Sequence, residues 1–211
     1  MPIPPIAVAA HPLLDVGLVL LEVARLPGDR DANPVLAGLL DGTVTPHLVS
    51  DDEVRAQVRD LLRASGFKPT GRSKPSSEYL LRAREEGRLG TINLLVDLGN
   101  AVSLHSGLPI SVVDLERTSG PLSIVVADPD AKYVFNASGQ EIDVGRLICL
   151  CDSAGPCANA VKDAQRTKTG EGTHRALVVV WGTSGLPGRT GETCRWLMDL
   201  AARCGIGATP V

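Results

Sequence analysis

The sequence predicts an α+β fold, a helical block set between strands rather than a regular strand–helix–strand succession. Two observations carry this. Val16–Leu26 and Ala176–Trp181 are continuous aliphatic runs far apart in the chain, the pattern of buried strands. Between them, residues 50–107 hold three helical patterns with start and stop signals.

The first strand closes at Pro27-Gly28-Asp29, and Asn33–Gly42 reads as a short helix. Ser50, with Glu53 three residues later, forms a capping box that opens a helix to about Ala64, ended by Ser65-Gly66. Phe67–Pro75 is a loop rich in Lys, Arg, Pro and Gly. A helix from Ser76 or Ser77 to Glu86 follows, stopped by Gly87. Thr91–Ser106 is an apolar helix with a polar row at Asn93, Asp97 and Asn100, whose i, i+4, i+7 spacing puts all three on one face. A helix apolar most of the way round is buried, so its amides and carboxylate must find hydrogen bonds or line a pocket. Gly107 and Pro109 end it. Strands are then expected over Leu122–Ala127, Lys132–Phe135, Leu147–Cys151 and Ala176–Trp181, with a final helix over Thr190–Cys204 closed by Gly205. The chain reads as one domain of 211 residues without internal repeats.

With 44% hydrophobic residues the chain can bury an ordinary core, and with 3% aromatics that core must be aliphatic. So few aromatics argue against a base-stacking binder of single strands, which needs aromatic platforms. The net charge of −3 is unevenly spread: Arg55–Arg88 carries nine basic and four acidic residues, a local +5 that leaves −8 elsewhere. Such a segment is either a phosphate-meeting face or a solvated pair of surface helices. Met1-Pro2-Ile3-Pro4-Pro5 lacks the charged start and long apolar core of a secretory leader, and no apolar run reaches membrane-spanning length. A cytoplasmic protein with reduced thiols and no membrane contact is expected.

No metal or cofactor is expected. Cys149 and Cys151 share a strand face, but with Cys157 and His174 they fit no common zinc spacing, and buried thiols are the simpler reading. There is no Gly-x-Ser-x-Gly elbow, no phosphate-binding glycine loop and no clustering of the four histidines. Gln165–Gly170 is polar and basic, suited to an anion or to a solvated connection.

The order of Ser65-Gly66-Phe67-Lys68-Pro69, Arg72–Glu78, Leu80-Leu81-Arg82, Thr91–Leu115 and Gln165–Thr169 resembles the free-standing B3/B4 proteins. These are homologues of the B3/B4 (tRNA-editing) domain in the β subunit of bacterial phenylalanyl-tRNA synthetase. The most specific part is Ile92-Asn93-x-x-Val96-Asp97-x-x-Asn100, then Gly107-x-Pro109 and Val113-Asp114-Leu115. The resemblance implies a three-layer β/β/α domain: 1–60 an N-terminal strand and helices, 61–181 the most family-like core, 182–211 a C-terminal helix. It also implies an ester-hydrolysing pocket that works largely by positioning a water.

Carried over, Asn100 matches an asparagine lining that pocket, Gly99 stands where the synthetases carry threonine, Ser111 where they carry histidine, and Val112 where they carry a small alanine. The resemblance thus makes Asn100 and Ser111 the catalytic candidates. Gly99, Val112, Asp114, Arg166 and Thr167 become substrate-binding candidates, and Arg72, Lys74, Arg82 and Arg88 contacts to tRNA or another structured RNA. Structural uses stand beside these: Asn93 and Asp97 as scaffold around Arg72 and Asp114, Asp114 as a turn brace, and Glu78 paired with Arg72. Three functions remain open: a trans-editing hydrolase of misacylated tRNA, a non-catalytic RNA-binding module, and a small-molecule (amino acid) binding domain. No ATP site is visible, so aminoacylation is not among them.

Overall fold

The computed structural model describes residues 3–24, 33–71 and 73–211. The turn expected at Pro27-Gly28-Asp29 and the end of the first predicted strand lie outside these residues, as does Arg72 with the uses expected of it. The described elements are β1 (Ala7–Val8), β2 (Leu14–Glu22), α1 (Pro34–Asp41), α2 (Asp52–Ala64), α3 (Ser76–Glu85), α4 (Leu94–Ser106), β3 (Ile110–Asp114), β4 (Ser123–Val126), β5 (Lys132–Val134), β6 (Glu141–Asp143), β7 (Ile148–Asp152), β8 (Gly155–Asn159), β9 (Arg175–Thr183), α5 (Arg189–Arg203) and β10 (Gly207–Pro210).

Three layers result. A central sheet runs β10-β2-β9-β3 and an outer sheet β1-β4-β7-β8, with β5–β6 a separate hairpin. In the central sheet β9 is antiparallel to both β2 and β3, with Val112 opposite Val178. Helices α4 and α5 pack on the central sheet, and α1 on α4. One apolar cluster joins these helices to Val112, Val178 and Val180; a second joins the two sheets through Val113, Leu177, Val179 and Trp181. Alternation along β3 and β9 therefore serves two cores at once. The continuous apolar run from Ala176 to Trp181 reflects burial on both faces.

Several local expectations need correction. Asp51, not Ser50, caps α2, its carboxylate accepting from the Val54 N–H at 2.9 Å. Asn93 is the N-cap of α4 rather than a member of its polar face; its Oδ1 accepts from the Val96 N–H at 3.0 Å. Gly107 ends α4 in the left-handed conformation (φ 74°), as its position demands. The region from 182 onward holds the expected helix but closes with β10, paired to β2. Strands β3 and β8 were also unforeseen. Gly155–Asn159 (Gly-Pro-Cys-Ala-Asn) has low intrinsic strand preference and is held by β7.

Candidate functional site

Ser111 occupies the face of β3 that looks toward the outer sheet, and is 1% exposed. Its Oγ donates to Asp163 Oδ1 at 2.7 Å, receives the Trp181 indole N–H at 2.9 Å, and lies 3.2 Å from the Asn159 carbonyl. A hydroxyl has one proton, and the indole already supplies a donor, so the short contact places that proton toward Asp163. The Asn159 N–H also reaches Asp163 Oδ1, at 3.4 Å, and a further backbone bond comes from Val112. Asp163 thus ties the rim of β3 to the end of β8.

Asn159 is 2% exposed and completes the network. Its Oδ1 accepts from the N–H groups of Val161 and Lys162 at 2.7 and 3.1 Å, and its amide donates to the Tyr133 hydroxyl. Tyr133 in turn donates to the Lys162 carbonyl. Burial pushes the Asp163 carboxyl up to about 6, outweighing the bonds from Ser111 and the backbone and the nearby charge of Lys168. A half-buried carboxylate poised near neutrality is the kind of group that recurs at functional sites. Asn159, Asp163 and Trp181 were not among the sequence candidates. The available signal was polar Asn159 and Asp163 in the otherwise mostly apolar run Cys157–Ala164.

The two catalytic candidates are not brought together. Asn100 belongs to α4, on the opposite side of β3 from Ser111. It is half-buried and makes no side-chain hydrogen bond among the described residues. The adjacent Gly99 packs so closely on β3 that a methyl group there would lie 2.8 Å from Val112 Cγ2.

The remaining polar candidates have structural partners. Asn93 donates to Thr169 Oγ1 at 3.1 Å, fastening α4 to the segment after β8; buried Asp97 accepts the Ile92 N–H at 2.8 Å, and burial raises its carboxyl. Asp114 accepts from Glu116 N–H at 2.9 Å and from the Thr173 hydroxyl at 2.6 Å, bracing two turns. Arg166 grips buried Asp152 with two bonds of 2.7 Å and also donates to the Gly155 carbonyl. Burial alone would raise Asp152, yet the bonds from Arg166, Ser119 N–H and Ala154 N–H bring it below the usual carboxylate range. Thr167 is buried and donates to the Cys157 carbonyl.

On the basic segment, Glu78 pairs with Arg59 through both oxygens at 2.6 Å. Arg82 and Arg88 share Glu86, each with an Nε contact of 2.7 Å. Lys68 is exposed and Lys74 half-buried at the start of α3. These cations thus mark both ends of a ten-residue helix, about 15 Å apart. Burial raises the thiols of Cys149, Cys151 and Cys157, so none is an activated nucleophile. No described helix is long and apolar enough to cross a membrane.

Against known proteins, the chain is 26% identical over 174 residues to the phenylalanine–tRNA ligase beta subunit of Dechloromonas aromatica (strain RCB). That alignment covers 74% of this chain and 22% of the ligase subunit, so the chain spans about a fifth of that relative. The fold is similar to an N-terminal fragment of the phenylalanyl-tRNA synthetase beta subunit from Pyrococcus horikoshii. The match has a TM-score of 0.51 and 11% identity, and covers 92% of this chain and 46% of the fragment. The B3/4 domain family matches residues 64–186, which contain α3, α4, strands β3 to β9 and the Ser111–Asp163 network. More than half the chain is covered, and the chain belongs to the B3/4 domain family.

Proposed function

We propose that this protein binds the aminoacylated end of a tRNA and hydrolyses its ester. The observation that carries the reading is Asp163, a half-buried carboxylate near neutrality, held by Ser111 and the backbone in a domain family shared with the synthetase β subunit. Placed beside an ester, its ionised form takes a proton from water as that water attacks the carbonyl carbon. The bond to the ribose oxygen then breaks, and the proton passes to that oxygen, releasing the amino acid. Ser111 positions Asp163 and, being buried, is not the nucleophile.

The basic segment supplies phosphate contacts. Arg82 and Arg88 are exposed and, among the described residues, paired only to Glu86, and exposed pairs of this kind exchange readily for a phosphate. A deacylation assay against mischarged tRNAs tests the reading, with Asp163→Asn and Asn100→Ala alongside the wild type. Turnover on at least one ester, lost at least a hundredfold in Asp163→Asn, is the expected result. No turnover on any ester, with salt-sensitive tRNA binding retained, leaves an RNA-binding module without catalysis. Absence of tRNA binding at low salt as well leaves only a small-molecule pocket.

A further inference from the structure

The protein has only two Phe and two Tyr, and three of these four rings converge beside the Asp163 network. Lys162 Nζ stands 4.1 Å from the Phe135 ring centroid and 5.8 Å from that of Tyr79. Both rings are half-buried, with surface left open to solvent. Lys168 Nζ lies beside them, donating to the Phe135 carbonyl at 2.6 Å. The third ring, Tyr133, is buried below and fixes the Lys162 backbone through its hydroxyl. Four separate segments meet here: α3, the residue after β5, the loop after β8, and the segment bridged to β3 at Val113 and Lys168.

A planar cation-binding face of this kind also stacks a nucleobase, and a lysine at its edge meets the attached phosphate. The Tyr79 hydroxyl donates to the Gly71 carbonyl, so the Lys68–Lys74 loop adjoins the same rings and extends the positive track. We infer that Tyr79 and Phe135, with Lys162 and Lys168, form a site for one nucleotide of a single-stranded RNA end. The base stacks on the rings, and Lys162 moves from Phe135 to the phosphate. The low aromatic content argues against base stacking along a strand, yet a single base needs only the two rings that converge here. The inference rests on the RNA-binding part of the function proposed above and locates where an RNA end would sit, next to Asp163.

The test is calorimetric titration with a 5′-phosphorylated adenosine trinucleotide, and with an abasic trinucleotide of equal charge. The wild type is expected to bind the adenosine trinucleotide at least tenfold more tightly than the abasic one. Phe135→Leu and Tyr79→Leu, checked for folding by circular dichroism, should each weaken it about tenfold. Equal affinity for the abasic trinucleotide overturns the inference without need of any variant. So does a folded Phe135→Leu protein that binds as tightly as the wild type. Loss of deacylation with trinucleotide binding intact removes the hydrolase and keeps this site; deacylation without trinucleotide binding removes this site alone.

Discussion

Gly99 and Val112 fill one space between α4 and β3: a methyl group on Gly99 would stand 2.8 Å from Val112 Cγ2 and 3.5 Å from Ile110 Cγ2. The resemblance to the synthetase domains implies threonine and alanine at these places, the larger residue on the helix. Under that correspondence the larger residue here is on the strand, and the two departures would form one exchange of volume across a single contact.

That exchange predicts a coupled pair. Gly99→Thr alone should destabilise by about 1–3 kcal/mol, since Val112 is stiff at χ1 and has no room to withdraw. Val112→Ala alone should cost about 1–3 kcal/mol through the cavity it leaves. The double variant should recover at least 1 kcal/mol of the summed loss, read from urea unfolding as a double-mutant cycle. Additive losses would mean that the helix and strand do not share this space.

The Arg166–Asp152 clamp gives a second expectation. Asp152 is buried beneath a bidentate guanidinium and two backbone N–H groups, so Arg166→Ala strands a carboxylate in the outer sheet. A loss of about 2–4 kcal/mol is expected, while Arg166→Lys, lacking the fork, should restore only part of it. Asp152 has its native pKa lowered, so its contribution is present above the unfolded value near 4 and is lost as pH falls through the native one. The stability gap between wild type and Arg166→Ala should therefore narrow in acid, as measured by urea unfolding at pH 3 and pH 7.

The helices were readable because the signals are local, although the N-caps of α2 and α4 fall on Asp51 and Asn93 rather than where the sequence reading put them. Asn33, Gly42 and Gly107 act at their own helix ends, and the apolar face of α4 follows from spacing alone. Strand β8 was hidden because Gly-Pro-Cys-Ala-Asn owes its shape to β7 rather than to its own preferences. The site was hidden for a related reason. Ser111 meets Asp163 and Trp181 across separations of 52 and 70 residues, and neither partner lies in a recognisable motif. Arg166 and Thr167 were singled out through the resemblance, whereas the fold turns their polarity to Asp152 and the Cys157 carbonyl. Asn100 is different: its place on the α4 face followed from spacing, and its amide makes no side-chain hydrogen bond among the described residues.

RNA binding by the basic segment should show in its salt dependence. Lys68 and Lys74 make no ion pair among the described residues, so replacing both with alanine removes two phosphate contacts at no cost to an internal salt bridge. The slope of log K against log salt for tRNA should fall in magnitude by roughly 1.5–2. An unchanged slope would move the RNA surface away from the start of α3.

Asp163 gives the sharpest pH expectation. Its native carboxyl titrates at about 6, against about 4 in the unfolded chain, so between these values the native state holds a proton that the unfolded state has released. Stability contributed by this group is therefore fully present below about pH 4 and is lost as pH rises through about 6. The difference in unfolding free energy between wild type and Asp163→Asn should change by about 1–3 kcal/mol across that window and stay level above it. Trp181, bonded to Ser111 Oγ, should report the same step in its fluorescence. Activity has the opposite sign, because only the ionised carboxylate takes a proton from water. Deacylation should rise across the same interval and level off above about pH 7, and Asp163→Asn should abolish that rise. A stability step at this pH without the matching activity step would assign Asp163 to holding β3 against β8, and to nothing more.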